Sequence, residues 1–146
     1  MTKQQQTALW TGLGFIGLGV AFLMAQLCYS IAFASQISAL LWWPLILLAT
    51  YGVVIYGLLF SSLGRLKWPV LIYMVGILAM AWLAWERWGQ TGQSGALLAA
   101  VGALLFVLSD TVLAIDRFRK TFKLARALNL STYFAAQCLI ASSVGI

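Results

Sequence analysis

The chain has 146 residues, of which 63% are hydrophobic and only 8% charged, with nine Lys or Arg against three Asp or Glu and no histidine. So few charges do not cover a soluble globule of this size, and a mean hydropathy of +0.97 excludes disorder and coiled coil, which leaves the bilayer as the expected solvent. Zinc ligation by His and Cys, a Ser-His-Asp triad and a disulfide framework lack their parts, because Cys28 and Cys138 are the only cysteines.

A net charge of +6 would suit nucleic acid, but five of the nine cations fall between Arg117 and Arg126, in a run with neither a Gly-rich nor an aromatic-interleaved pattern. Beside an apolar segment, such a run marks a cytoplasmic loop. Nucleic acid is therefore not an expected partner.

No formal charge occurs between Lys3 and Arg65, a stretch too long for one crossing at about 20 residues per span. The polar break at Ser35, Gln36 and Ser38 divides it into one helix near residues 9–33 and a second near residues 40–60. Three more apolar runs follow at residues 68–85, 96–115 and 127–146, the last relieved by Asn129, Ser131, Thr132, Tyr133 and Gln137. The pattern predicts an all-α polytopic membrane bundle of about five transmembrane helices, forming one domain over residues 1–146. Barrel strands would need short segments of alternating polarity, which the sequence does not show. The first run is longer than a signal-peptide core and has no clear cleavage pattern behind it, so it reads as a membrane helix.

Five crossings put the N-terminal tail and the loops at residues 61–67 and 116–126 on one side, together with eight of the nine cations. Arg87 alone lies on the other. This asymmetry predicts an N-in, C-out orientation, with a bacterial inner membrane as the expected location. Trp10 and Trp68 then mark the inner interface, and Trp42, Trp43, Trp85 and Trp88 the outer one. In the first helix Gly14, Gly17, Ala21, Ala25, Cys28 and Ala32 make a narrow seam suited to close helix packing. Cys28 and Cys138 read as small buried apolar residues.

Asp110 is the unusual residue, because it lies well inside the fourth helix, where a carboxyl is costly unless it is neutral, paired or beside water. It is the candidate proton donor; the alternative is an Asp that hydrogen-bonds across helices only to fix packing. Asp116 and Glu86, each beside a cation in sequence, read as surface carboxylates. In the fifth helix Asn129, Tyr133 and Gln137 recur every four residues and share a face, with Tyr133 near the depth of Asp110. Gln26 and Tyr29 add polarity to the first helix, with Gln26 expected nearer the outer side and away from Asp110. For all of these groups, interhelical hydrogen bonding is the competing reading.

The segments GALLFVLSDTVLAIDRF and ARALNLSTYFAAQCLIASS resemble the C-terminal signature of the YhhN-like lysoplasmalogenase family, and GVAFLMAQLCYSIAFASQ resembles an earlier helix of that family. The resemblance implies a membrane hydrolase that cleaves the vinyl ether bond of lysoplasmalogen, a lysophospholipid, and releases a fatty aldehyde. By motif it carries over Ser109 and Asp110 as the family's Ser-Asp pair and Tyr133 and Gln137 as its final-helix Tyr and Gln, with Asp110 as the catalytic group and the others as binding positions; Gln26 and Tyr29 are further binding candidates from their own polarity. Arg126 and Arg117 would draw the substrate phosphate to the inner interface. The reaction calls for no cofactor and no metal. Family members carry a further Gly-Asp motif in an earlier helix that has no counterpart here, as if the N-terminal part were lacking, and some have His where Gln26 stands. A catalytically inactive lipid-binding or assembly protein of the same family is the first alternative, and a small proton-coupled transporter the second. Head-group preference and oligomeric state, a homo-oligomer included, are left open by the sequence.

Overall fold

A computed structural model of the chain describes residues 2–121 and 123–144, which form five long helices and no strand. These are α1 (Lys3–Ala34), α2 (Trp42–Phe60), α3 (Lys67–Thr91), α4 (Ser94–Phe118) and α5 (Ala125–Ser142), with a 3₁₀ turn at Gly64–Leu66 before α3. The all-α membrane bundle read from composition is the fold. Four helical segments are long and apolar enough to cross a bilayer: Lys3–Ala34, Trp42–Phe60, Gly64–Thr91 and Ser94–Phe118. The fifth helix, expected as a further crossing, is not among them, since its 18 residues include Asn129, Ser131, Thr132, Tyr133 and Gln137. The end expected for it at Ile146 lies outside the described residues.

The helix limits have local causes. α1 starts at Lys3 rather than near Leu9 because Thr2 and Gln5 close a reciprocal capping box, which satisfies two donors of the first turn. α3 runs past Trp85 to Thr91 and stops at Gly92, whose φ of 61° is left-handed backbone that glycine tolerates. The short connections make consecutive helices run back and forth, so one end of the bundle gathers the turn after α2 and the α4–α5 connection. This basic end carries Arg65, Lys67, Arg117, Arg119, Lys120, Lys123 and Arg126.

The core lies between α3, α4 and α5, where Met80, Ala81, Ala84, Ala99, Ala100, Ala103, Phe106, Ala136 and Ile140 are buried. Small side chains along α4 let backbones approach, which is how helices associate in an apolar solvent. Gly102 marks the closest approach: a Cβ there would stand 2.9 Å from the carbonyl oxygen of Ala136.

α1 runs alongside α3 in a fixed register. Gln26 packs against Gly76, the Arg87 Nε donates to Gln36 at 2.7 Å, and the Ser38 N–H donates to Gln90 at 2.8 Å. At that offset α1 projects roughly 20 Å beyond the first turn of α3 at the basic end. The small-residue seam does not mediate this contact. Gly14, Gly17, Ala21, Ala25, Cys28 and Ala32 are all exposed, and α1 turns Phe22, Gln26, Tyr29 and Phe33 inward instead. Cys28 and Cys138, expected to be buried, are likewise exposed and unbridged, because each lies on the outward face of its helix.

Glu86 also departs from expectation. It is 1% exposed, not a surface carboxylate, and its Oε2 accepts the Leu41 N–H at 3.1 Å just ahead of α2. The entrance to α2 has no side-chain cap of its own, and α3 supplies the acceptor from across the bundle. Gln90, one turn on, donates to the Ala39 carbonyl, and Trp82 donates to the Leu41 carbonyl at 3.0 Å. These bonds tie the α1–α2 connection to α3.

Candidate functional site

Asp110 and Tyr133 stand equally far, roughly 12 Å, from the basic ends of α4 and α5. Asp110 is half-buried, and its Oδ2 is enclosed without a hydrogen-bond partner. Tyr73 of α3 faces it, and the same tyrosine faces Gln26 of α1. Gln26 is 1% exposed, and neither polar atom of its amide makes a hydrogen bond of ordinary geometry. Its Oε1 lies over the backbone of Gly76, where a Cβ would come within 3.1 Å. A glycine one turn beyond Tyr73 therefore admits the amide to the bundle interior.

Tyr133 closes the other side and lies within electrostatic reach of Asp110, Tyr73 and Tyr29. Its ring packs against Phe22 at 5.8 Å and Phe106 at 5.7 Å, so its position is fixed by aromatic contacts from α1 and α4. The Tyr29 hydroxyl donates to Gln137 Oε1 at 3.2 Å, linking α1 to α5. Asp110, Tyr133, Gln137, Gln26 and Tyr29 thus come together, as one layer reached from three helices. Gln26 belongs to that layer, whereas the sequence reading set it apart from Asp110. The difference arises from register: counting from Leu9 sets Gln26 too far along the span, and its contact with Gly76 returns it to the level of Asp110.

Ser109 and Arg126 stand elsewhere. The Ser109 Oγ donates to Asn129 Oδ1 at 2.6 Å, with the Asn129 carbonyl 3.1 Å away, and the residue is fully buried between α4 and α5. Arg126 is exposed at the basic end, in a groove shared with Asp116 and Asn129. On the far side of α4, the Tyr51 and Thr111 hydroxyls share a hydrogen bond of 2.7 Å that joins α2 to α4.

The sequence reading missed Tyr73. A signal for it existed, since Tyr73 is the only side chain with a hydrogen-bonding group besides Lys67 and Trp68 in the first three turns of α3, and Gly76 follows on the same face.

Chemically, the layer combines a carboxyl, three phenols and two amides, walled by aromatic rings and set inside an apolar bundle. The Tyr73 hydroxyl is the group that faces both the Asp110 carboxyl and the Gln26 amide, so these buried polar groups share few partners, and each one left unsatisfied costs about 1–3 kcal/mol. Among the described residues no three of His, Cys, Asp or Glu come together as a metal would require.

Comparison with known proteins agrees with the architecture. The YhhN family model matches residues 7–144. The uncharacterized membrane protein YhhN of Escherichia coli O6:H1 is 34% identical over 125 residues, which cover 85% of this chain and 60% of that protein. Lysoplasmalogenase TMEM86A of Bos taurus is 32% identical over 161 residues, covering 98% of this chain and 67% of its own. Lysoplasmalogenase TMEM86B of Rattus norvegicus is 51% identical over 45 residues, covering 31% of this chain and 19% of its own. The chain thus spans 60% of the length of the bacterial relative. No solved structure matches.

Proposed function

The chain belongs to the YhhN family of membrane proteins, and from that membership we propose that it is a hydrolase of the lysoplasmalogen vinyl ether bond. The activity is named in the mammalian relatives. The observation that carries the reading here is the half-buried Asp110, which faces Tyr73 in a layer where the buried Gln26 amide faces the same tyrosine.

A vinyl ether is hydrolysed by acid catalysis. The Asp110 carboxyl gives its proton to the terminal carbon of the C=C–O group, and the π electrons form the new C–H bond, leaving an oxocarbenium ion. A neutral, proton-bearing carboxyl is the form that an apolar surround tolerates, and its conjugate base then balances the cation. Water adds to the cationic carbon and returns a proton to the Asp110 carboxylate. The hemiacetal releases the glycerol hydroxyl, with a proton moved to that oxygen, and becomes the aldehyde. Tyr73, Tyr133 and the Gln26 amide hold the ether oxygen and the water by hydrogen bonds, which turns an encounter into a fixed geometry. Gln137 and Tyr29 brace the wall behind them.

The amphiphilic substrate suits a bundle whose acid stands in the half nearer the basic end. We take that end to face the cytoplasm of a bacterial inner membrane, following the excess of Lys and Arg. The test is aldehyde release from lysoplasmalogen by the purified chain in detergent. Wild type should release aldehyde, and folded Asp110→Asn should lose at least about 100-fold in turnover. Unchanged turnover in that variant, or no release by wild type, would remove the assignment and favour a lipid-binding member of the family.

A further inference from the structure

Among the described residues, the Asp110 layer holds one carboxyl and no Lys or Arg. Arg117 follows Asp110 along α4 by roughly 10 Å, Arg126 precedes Tyr133 along α5 by roughly 10 Å, and α1 carries no charge between Lys3 and Gln26. Lys67, about 9 Å before Tyr73 along α3, is held at the end of the bundle, with its Nζ 3.8 Å from the centre of the Phe60 ring. What stands near the carboxyl is aromatic. Phe106 lies one turn before Asp110 on the same face of α4, and the rings of Phe22, Phe106 and Tyr133 pack together with centroids 5.7 to 6.5 Å apart. The ring series continues outward, since Phe134 packs edge to face on Tyr133 at 5.6 Å and is 61% exposed.

A carboxyl flanked by aromatic rings inside an apolar bundle is the chemistry that recognises an organic cation, because the carboxylate supplies the opposite charge and the ring faces a negative quadrupole. We propose that the Asp110 layer binds single-chain lipid amines, with the protonated nitrogen between the Asp110 carboxylate and the rings of Phe22 and Tyr133, and the alkyl chain in the hydrocarbon beside Phe134. Tyr73 faces the carboxyl from α3, so the cation takes the side that Tyr133 closes. An amine arriving with a free lone pair takes the Asp110 proton: an N–H bond forms, the O–H bond breaks, and an ammonium–carboxylate pair replaces the neutral acid. Desolvation opposes any such pair. Here the fold has already withdrawn the carboxyl from water, and a tertiary ammonium, covered by its own alkyl groups, has little hydration left to lose. A neutral chain gains none of this, and an anionic chain meets the carboxyl as a like charge. The inference deepens the hydrolase reading and rests on it in one respect. The oxocarbenium ion of that reaction carries its charge beside the same groups and at the head of the same kind of chain, so a lipid amine is its stable counterpart and removes the proton that hydrolysis needs.

The test is equilibrium binding of radiolabelled probes that share one long alkyl chain: an N,N-dimethylalkylamine, the matching alcohol and the matching carboxylic acid. The full chain is held in phosphatidylcholine nanodiscs, and uptake by empty nanodiscs is subtracted, so partition into lipid is removed from the signal. The amine should bind at least about tenfold more tightly than the alcohol, and the acid no more tightly than the alcohol. Asp110→Asn should abolish the preference for the amine and leave alcohol binding unchanged, which also shows that the variant is folded. Phe22→Leu replaces a ring with an alkyl group and should weaken the amine about threefold, with the alcohol unaffected. Asp116→Asn removes a carboxyl outside the layer, at the basic end, and should alter neither affinity. Equal affinity for amine and alcohol in wild type, a preference that survives Asp110→Asn, or equal losses of both probes in Phe22→Leu would overturn the site. The amine should also inhibit aldehyde release competitively. No aldehyde release by wild type, with the Asp110-dependent preference intact, would refute only the hydrolase reading. Asp110-dependent aldehyde release without any preference for the amine would refute only the cation site.

Discussion

The Gly102→Ala substitution tests the contact on which the site depends, because two opposed effects of known size act there. Alanine is a better helix former than glycine by about 1 kcal/mol, so in open space the change stabilises. At residue 102 the added Cβ stands 2.9 Å from the Ala136 carbonyl oxygen, 2.9 Å from Ile140 Cγ1 and 3.1 Å from Leu139 Cβ. A carbonyl oxygen and a Cβ do not rotate away, so α5 must retreat by about 0.5 Å to restore ordinary contact at 3.4 Å. Such overpacking costs about 1–3 kcal/mol. The clash should therefore win, with a net loss of up to about 2 kcal/mol, or a Tm lower by up to about 6 °C for a chain of this length. Gly57→Ala has nothing within 4 Å of its Cβ and should shift Tm upward by about 3 °C. Thermal unfolding of both variants in one detergent gives the comparison, and the opposite signs are the expected result. The same retreat carries Tyr133 and Gln137 away from Asp110, so aldehyde release by Gly102→Ala should fall about tenfold at temperatures where the protein is folded. If Gly102→Ala instead raises Tm as Gly57→Ala does, the α4–α5 approach is looser than described, and the layer built across it loses its support.

Three further substitutions separate chemistry from packing. Tyr73→Phe keeps the ring and removes the hydroxyl facing Asp110; turnover should drop about tenfold to 100-fold with Tm within about 2 °C of wild type, and an unaffected kcat would exclude Tyr73 from the reaction. Ser109→Ala removes the donor held by Asn129 at 2.6 Å and should lower stability by about 1 kcal/mol, read as a Tm shift, because buried hydroxyl bonds between membrane helices contribute amounts of that order. Glu86→Ala strips the buried acceptor from the Leu41 N–H and should lower stability by about 1–3 kcal/mol; a Tm equal to wild type would mean that the α1–α2 connection is held by Gln90 and Trp82 alone.

Composition alone made the helical membrane bundle legible, since long uncharged runs leave the backbone few other ways to satisfy its hydrogen bonds in lipid. Asp110 was legible for a related reason: one carboxyl inside such a run is conspicuous. Gln26, Tyr73 and Glu86 were not, and the obstacle in each case was distance along the chain. The level of Gln26 depends on how far a 32-residue helix slides past its neighbour, and only the partner decides that. Glu86 beside Arg87 looks like a surface pair in one dimension; in three, Arg87 turns to Gln36 and Glu86 turns inward to Leu41. The small-residue seam of α1 misled in the opposite sense, because a pattern suited to close packing says nothing about which helix will lie against it.

These contacts also explain how an unsatisfied polar layer persists. A half-paired buried cluster would relax by sliding α1 along α3 or by parting α4 from α5, unless each movement were opposed elsewhere. Sliding is opposed at the far end of the bundle, where Gln36 is fixed by Arg87, and Ser38, Ala39 and Leu41 by Gln90, Glu86 and Trp82. Parting is opposed by the alanine-lined contact around Gly102 and by the Ser109–Asn129 bond on the other side of the layer. Both sets of contacts lie outside the Asp110 layer and hold it from opposite directions. Substitutions in them should therefore alter catalysis through geometry, with chemistry at Asp110 intact, and this is why Gly102→Ala is more informative about the site than its distance from Asp110 suggests.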